Sequence, residues 1–181
     1  SCSLVGSEMC IRDSVEAALR AGADMVNDIW GFKYDKRVAA LTAQYQVPCC
    51  LMHNRDNTEY KNFLEDMCRD LRDSVEIAKA AGVPDENIIL DPGVGFGKTY
   101  EQNLRVINHL ECLKDMGYPV LLATSRKSVI GRTLDLPADQ RVEGTLVTTV
   151  MGVEKGASFV RVHDVKENRR AIQMTKAILK E

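Results

Sequence analysis

The chain has 181 residues, of which 45% are hydrophobic and 28% charged, as expected for one globular domain with a substantial core. Its net charge of −2 gives no general attraction to nucleic acid or to an anionic membrane surface. No apolar run approaches the roughly 18 residues of a membrane span, so we expect neither nucleic acid nor membrane as a partner. The six cysteines include no C-x-x-C pair and share no zinc-ligand spacing with the histidines, which predicts reduced thiols, a cytoplasmic location and no dedicated metal site.

The first stretch, residues 1–13, shows neither helical nor alternating periodicity. A helical pattern begins abruptly at Ser14. We therefore predict a leader over residues 1–13, disordered or artefactual and foreign to the fold, and one domain over residues 14–181.

From Ser14 onward one unit repeats: a helix that ends in glycine, a short apolar strand, and a polar cluster that closes the strand. The predicted strands are 24–28, 47–52, 88–90, 120–123 and 159–162. Their continuous apolar runs indicate strands that are buried on both faces. Apolar residues at helical spacing predict covering helices between them, the last with a stripe of Ala171, Met174 and Ile178.

Strict alternation of strands and helices predicts a parallel sheet. Polar residues follow all five strands, and a (β/α)₈ barrel brings every strand end to one site, whereas an open doubly wound sheet uses mainly one crevice. A complete barrel needs about 250 residues. The sequence therefore predicts an α/β fold of the (β/α)₈ TIM-barrel type, incomplete, with about five C-terminal β/α units.

The stretch from Asp91 to Lys98 is rich in glycine and follows an apolar run. A carboxylate, a bare backbone and the ring of Phe96 at a strand end indicate a small-molecule site. A tight turn capped by Asp91 is the alternative. A P-loop needs four residues between its glycines, and a dinucleotide fingerprint needs glycine where Lys98 stands, so neither spacing fits and an NTPase is a remote alternative.

Two further groups carry charge or hydrogen-bonding capacity. The run Ser125-Arg126-Lys127-Ser128 places two cations and two hydroxyls at a strand end, as either a ligand site or a solvated basic turn. Asn27 offers a donor and an acceptor, and Asp91 offers acceptors. Together these two suit a heterocycle with an amino–imino edge, such as guanine or pterin.

Arg161 and His163 alternate along the last apolar strand, which places them on the same side. A buried arginine requires an anion, and two neighbouring donors suit a phosphate or diphosphate. An internal ion pair of Arg161 with Asp164 or Glu143, and a core position for His163, remain the alternatives.

Taken together, these segments resemble dihydropteroate synthase, the folate-pathway family with a pterin-binding barrel domain. The matching segments are AGADMVND at 21–28, LMH at 51–53, DPGVGFGK at 91–98, TSRKS at 124–128, EGT at 143–145 and RVHDV at 161–165. The resemblance runs from about Val15 to the C-terminus. It implies that the amine of p-aminobenzoate displaces diphosphate from a hydroxymethyl-dihydropterin diphosphate, with Mg²⁺ as cofactor and a homodimer as the full-length assembly.

The resemblance also implies roles for individual residues. The pterin would be held by Asn27, Asp91 and Lys127, with Met52 against its ring. p-Aminobenzoate would be bordered by Gly95, Phe96, Ser125 and Arg126. Diphosphate would be bound by Arg161 and His163, and the catalytic group would be Lys127, Arg161 and His163.

The family's Asn that helps bind Mg²⁺-diphosphate, an Asp that binds pterin and a loop that closes over p-aminobenzoate would all precede Val15. Asn54 also stands where many members have a second Met. These departures predict little or no synthase activity for this polypeptide. Two other possibilities are a pterin-binding methyltransferase domain, which would have no diphosphate for Arg161 and His163 to bind, and a non-catalytic barrel fragment with exposed edges.

Overall fold

The computed structural model describes the backbone of residues 8–181 and the side chains from residue 12 onward. Within that part, the elements in chain order are α1 (Glu8–Arg20), β1 (Val26–Asp28), α2 (Arg37–Tyr45), β2 (Cys49–Met52), α3 (Phe63–Ala80), β3 (Ile88–Asp91), α4 (Tyr100–Asn108), α5 (Glu111–Lys114), β4 (Leu121–Leu122), α6 (Ser128–Leu134), α7 (Val142–Glu154), β5 (Phe159–Val160) and α8 (Val165–Ile178). Among these described helices, none is both long enough and apolar enough to cross a bilayer.

The strands of the described part pair only in parallel and are neighbours in chain order. β2 lies between β1 and β3, with Val26 opposite Cys49 and Cys49 opposite Ile88. β4 pairs with β5, and a single bridge between Leu90 and Val120 joins β3 to β4. The fold is therefore α/β with parallel strands, as predicted, and the strand order does not reverse anywhere in the described part.

The hydrophobic core of the domain lies around the two central strands, β2 and β3. Every residue of β2 and β3 is buried, because helices cover both of these strands. α3 contributes Met67, Leu71 and Val75, which recur at helical spacing and lie on its buried face. Complete burial of a side chain such as Leu71 contributes about 1.5–3 kcal/mol. This packing fixes β2 and β3, whose carboxyl ends lead into the polar loops.

The last β/α unit differs from the prediction. Phe159 in β5 is 48% exposed, because β5 has β4 on one side and no described strand on the other. The predicted apolar stripe of α8 is also wrong as a buried face, since Met174 and Ile178 are exposed. α8 instead packs on α7, where Thr149 Oγ1 donates to Asn168 Oδ1 at 2.6 Å.

Two helices, α1 and α6, also differ from the sequence-based prediction. α1 begins at Glu8 rather than Ser14, so residues 8–13 are helical. The remainder of the predicted leader, residues 1–7, lies outside the described residues, and whether the leader is foreign to the domain stays a prediction. The seven-residue α6 was not predicted, because it is too short to show a periodic stripe.

Candidate functional site

Side chains from the first, third and fifth strands meet at the carboxyl edge of the sheet. Asn27 lies on β1, Asp91 ends β3, and Arg161 follows β5 directly. Arg161 Nη1 donates to Asn27 Oδ1 at 3.2 Å across 134 positions of sequence, and Arg161 Nη2 lies 4.0 Å from Asp91 Oδ2. The predicted convergence of these three residues is therefore present in the structure.

Asp91 is a buried carboxylate with 1% of its surface exposed. Its Oδ1 accepts from the Gly93 N–H at 2.7 Å, whereas its Oδ2 is buried without a hydrogen-bond partner among the described residues. Burial raises the pKa of Asp91, and the Gly93 N–H together with Lys127 and Arg161 opposes that shift. An unsatisfied buried acceptor costs about 1–3 kcal/mol, so Oδ2 is available to accept a hydrogen bond from a ligand.

The turn after β3 requires glycine because it passes close to the backbone that follows β2. A Cβ on Gly93, where φ is +68°, would lie 1.9 Å from the carbonyl oxygen of His53. A Cβ on Gly97, where φ is +53°, would lie 2.5 Å from the carbonyl oxygen of Arg55. Neither position can accept a side chain, since both have positive φ and no free space.

Asn103, on α4, holds the middle of this turn. Its Oδ1 accepts from the Gly95 N–H at 2.6 Å, and its Nδ2 donates to the Thr99 carbonyl at 2.7 Å. The side chain of Phe96 is thereby left half-buried at the edge of the site. Asn103 was not predicted, because a buried amide inside a helical pattern gives no motif signal.

Lys127 approaches the same turn from the loop after β4. Its Nζ donates to the Val94 carbonyl and lies 4.9 Å from the centroid of the Phe96 ring. Burial lowers the pKa of Lys127, and the negative charge of Asp91 opposes the shift. The predicted site residues Lys127, Phe96 and Asp91 are thus brought together.

The loop that carries Lys127 is held by Arg141. Arg141 Nη1 donates to the Arg126 carbonyl at 2.8 Å, and Arg141 Nε donates to the Leu136 carbonyl at 2.9 Å. Arg126 itself has φ +59°, and its guanidinium pairs with Asp164 at 2.7 Å. Arg141 was not predicted because its partners are backbone carbonyls, which leave no pattern in the sequence.

Ser125 and His163 form a second polar group. Ser125 is buried, His163 Nδ1 lies 2.8 Å from Ser125 Oγ, and the His163 N–H donates to the same Oγ at 3.1 Å. Together with Arg161 and Lys127 they line a cavity of about 170 Å³. Guanidinium, ammonium and hydroxyl donors around one small cavity suit an anion.

Arg161 differs from the prediction in its exposure. It was predicted to be buried in a strand, but its side chain is 52% exposed, because β5 ends at Val160. Asp164 pairs with Arg126 and Glu143 is exposed, so neither alternative partner accounts for Arg161. His163 is exposed and is not a core histidine.

Met52 ends β2 and is 1% exposed beneath the turn, with its Cγ 3.3 Å from where a Gly93 Cβ would lie. Behind the turn lie His53, Asp70 and Lys98, which sequence reasoning did not assign to the site. The features of the sequence that could have indicated them are His53 at the end of an apolar run and Lys98 at the end of a glycine-rich turn.

A metal site built wholly from protein side chains would need several carboxylate, imidazole or thiolate ligands close together. The described part of the chain contains no group of three or more His, Cys, Asp or Glu side chains that could hold one. Mg²⁺ is usually bound by one or two carboxylates together with substrate phosphates and water, so this finding concerns only sites that are built wholly from protein side chains.

The similarity of the chain to known proteins agrees with this geometry. Residues 12–163 match the family model described as pterin binding enzyme. The chain is 63% identical over 166 residues to a dihydropteroate synthase from Clostridium beijerinckii, and 54% identical over 164 residues to one from Bacillus subtilis. Each match includes 91% of this chain, but only 62% and 58% of the relatives, so the chain spans about three fifths of their length.

Solved structures agree with the sequence matches. A dihydropteroate synthase from Clostridium difficile, determined in the presence of pteroic acid, superposes with a TM-score of 0.91 at 49% identity. That match covers 94% of this chain and 65% of the other. A dihydropteroate synthase from Thermus thermophilus superposes with a TM-score of 0.87 at 35% identity, over 92% of this chain and 68% of the other.

Proposed function

The chain belongs to the pterin-binding enzymes and, among them, to the dihydropteroate synthases, and from that premise we propose that its site residues serve the condensation of hydroxymethyl-dihydropterin diphosphate with p-aminobenzoate, with little or no turnover by this polypeptide itself. The products are dihydropteroate and diphosphate, in folate biosynthesis. We also propose that the described strands form the C-terminal portion of a (β/α)₈ barrel. Five parallel strands in chain order, with polar side chains at one edge, support that architecture.

The observation that carries the proposal is the buried, unsatisfied Oδ2 of Asp91. A pterin presents an amino–imino edge with two adjacent donors, and a carboxylate accepts from both. Asn27, which contacts the same guanidinium of Arg161 as Asp91 does, adds an amide that both donates and accepts. We propose that these two residues and Lys127 hold the pterin, with Met52 beneath its ring.

The cavity lined by Ser125, Lys127, Arg161 and His163 is proposed to bind the diphosphate. During the reaction, the bond between the exocyclic carbon and the diphosphate oxygen breaks, and its electron pair leaves on the diphosphate. The amine nitrogen forms the new C–N bond, and the amine then releases a proton to solvent. Cationic donors stabilise the departing charge, and the carboxylate of Asp91 stabilises the electron-deficient pterin, so Lys127, Arg161 and His163 are the proposed catalytic group.

p-Aminobenzoate is proposed to lie beside Phe96 and Gly95, near Ser125 and Arg126. Gly95 is exposed and Phe96 half-buried, which leaves a flat apolar edge for an aromatic ring. The guanidinium of Arg126 is held by Asp164, so this residue would contribute through its stem or backbone. A methyltransferase of the same family would not need the cationic cavity, which favours the synthase.

Three further expectations remain proposals. Mg²⁺ would accompany the diphosphate, whose oxygens would supply part of its ligands together with water. A homodimer is supported by an apolar groove of α4, α6 and α7, in which Val147 is 59% exposed, and sedimentation velocity would test it. A cytoplasmic location is supported by the free thiols of the described cysteines, including Cys49 and Cys50, and cell fractionation would test it.

The test is the affinity of the chain for 6-hydroxymethylpterin, measured by calorimetry on the wild type and on Asp91→Asn. Loss of charged hydrogen bonds of about 1.5–3 kcal/mol should weaken binding by about 10- to 100-fold. The matched control is Asp24→Asn, which alters an exposed acid before β1 at the opposite end of the sheet. Equal affinity of Asp91→Asn and the wild type, or no pterin binding by the wild type, would refute the proposal.

A further inference from the structure

The ammonium group of Lys98 lies inside the turn that it closes. Lys98 Nζ lies 2.9 Å from His53 Nδ1, 3.1 Å from the Gly93 carbonyl oxygen and 2.9 Å from the Phe96 carbonyl oxygen. An ammonium group has three N–H donors and no acceptor. Its three donors are therefore matched by three acceptors, two of which belong to the turn itself.

The third acceptor is His53 Nδ1, and its lone pair is free to accept because of the contact that Nε2 makes on the other side of the ring. His53 is 2% exposed, and its Nε2 lies 3.2 Å from Asp70 Oδ2, which also accepts from Arg55 Nε at 2.6 Å. Burial alone would raise the pKa of Asp70, but the hydrogen bonds from His53 and Arg55 outweigh it and lower the pKa of this carboxyl. Because an anionic Asp70 accepts the Nε2–H, the Nδ1 lone pair of His53 faces Lys98.

We infer that Lys98 is a positioning residue, which holds the turn 93–97 against the end of β2 and thereby places Phe96 for p-aminobenzoate. The inference rests on the proposed function for the identity of the ligand. The inference goes beyond the proposed function because it assigns the geometry of the p-aminobenzoate part of the site to Lys98, whose side chain contacts the turn and not the substrate. Lys98 acts through the carbonyls of Gly93 and Phe96 and through His53.

The other contacts of the turn do not replace Lys98. Asn103 binds the Gly95 N–H, and the Tyr60 hydroxyl donates to the Gly97 carbonyl at 2.6 Å. These contacts hold the middle and the end of the turn. The Gly93 carbonyl also accepts from the Phe96 N–H at 3.0 Å, whereas the Phe96 carbonyl accepts from Lys98. Loss of its ammonium would remove the donor to the Phe96 carbonyl and would leave the buried Nδ1 of His53 without a donor, at about 1–3 kcal/mol.

The protonation state of Lys98 supports the same role. Burial lowers the pKa of Lys98 to about 7. The charged groups that face it are Asp91 from β3 and Asp70 from α3, which raise the pKa, and Lys127 and Arg55 from the neighbouring loops, which lower it. Burial also lowers the pKa of His53 to about 4, so the imidazole stays a neutral acceptor in this range.

The pKa of Lys98 is about 7 in the closed turn, whereas a lysine exposed to solvent by opening of the turn would have its usual value of 10.5. Opening of the turn therefore takes up a proton above about pH 7, and the closed turn becomes more stable relative to the open turn as the pH rises from about 7. An arginine at position 98 would keep its charge throughout this range. This difference separates positioning by the ammonium from simple packing of the lysine stem.

The experiment compares the wild type with Lys98→Met, Lys98→Arg and the control Lys79→Met, which alters an exposed lysine on α3. Amide hydrogen exchange of residues 93–97 is measured without ligand, as protection relative to β2. Lys98→Met should reduce that protection by about tenfold, and weaken pteroate by about tenfold while 6-hydroxymethylpterin changes less than about twofold. Lys98→Arg should retain protection, and should lose the rise in protection that is expected of the wild type as the pH increases through the pKa of about 7.

Protection in Lys98→Met equal to that in Lys79→Met would overturn the inference, as would equal weakening of pterin and pteroate. If Lys98→Met does not fold, the wild type alone decides, since protection of the turn that is constant with pH contradicts a role for the ammonium. If the wild type binds neither ligand, the proposed function fails, and hydrogen exchange still tests whether Lys98 holds the turn.

Discussion

Replacement of Gly93 by alanine should destabilise this protein far more than the same replacement at another glycine of similar φ. The new Cβ would lie 1.9 Å from the carbonyl oxygen of His53, where ordinary contacts exceed 3.4 Å. That carbonyl cannot retreat easily, because the adjacent His53 N–H donates to the Asp91 carbonyl at 2.9 Å, directly after the β2–β3 pairing. The turn must move instead.

The size of the effect follows from two contributions. An alanine with positive φ costs about 1–2 kcal/mol. Movement of the turn also breaks the hydrogen bond of 2.7 Å from the Gly93 N–H to Asp91 Oδ1, which is worth about 1.5–3 kcal/mol because the acceptor is charged. We therefore expect Gly93→Ala to lose about 2.5–5 kcal/mol, a large fraction of the stability of a typical domain.

The matched control is Gly117→Ala. Gly117 has φ +86°, and a Cβ there would meet nothing within 4 Å, so only the backbone strain of about 1–2 kcal/mol should appear. Urea unfolding followed by circular dichroism measures both free energies. If the two variants lost the same amount, close approach to the His53 carbonyl would not be the reason for glycine at position 93.

Two further predictions concern groups behind the site. Because burial lowers the pKa of His53 to about 4, the unfolded chain takes up a proton near pH 6.5 that the folded chain does not, so stability falls as the pH is lowered from 6.5 through 4. The loss should reach about 3 kcal/mol, and urea unfolding of the wild type and His53→Gln at several pH values should show it only in the wild type. Arg141→Met should cost about 2–3 kcal/mol, because the carbonyls of Arg126 and Leu136 lose their charged donor. The exposed Arg170→Met serves as control, and equal unfolding free energies for the two arginine variants would contradict the role given to Arg141.

The parts of the fold that local pattern could reveal were predicted well. The runs at 47–52 and 88–90 became buried strands, because an uninterrupted apolar segment has no stable place except the centre of a sheet. The same reasoning was wrong for β5 and for α8. The sequence of a short apolar run does not indicate whether another strand or helix covers it. Phe159 and Met174 are exposed.

The residues of the candidate site could likewise be predicted only in part. Asn27, Asp91 and Arg161 could be predicted to converge, because parallel strands bring their carboxyl ends to one edge. The supports of the site could not be predicted, since Asn103 and Arg141 act on backbone groups of distant segments. Such contacts depend on three-dimensional proximity alone, and no residue spacing records them.

The hydrogen bond between Arg161 and Asn27 also has a consequence for the order in which the molecule assembles. The strand pairs β1–β2, β2–β3 and β4–β5 join consecutive units, but this bond joins positions 134 residues apart. Contacts between residues far apart in sequence form late in folding, because closing the long intervening loop costs conformational entropy before the contact can stabilise the chain. The pocket is therefore expected to close only after the last strand has docked, and pulse-labelled hydrogen exchange during refolding should show β2 protected before the residues around Arg161.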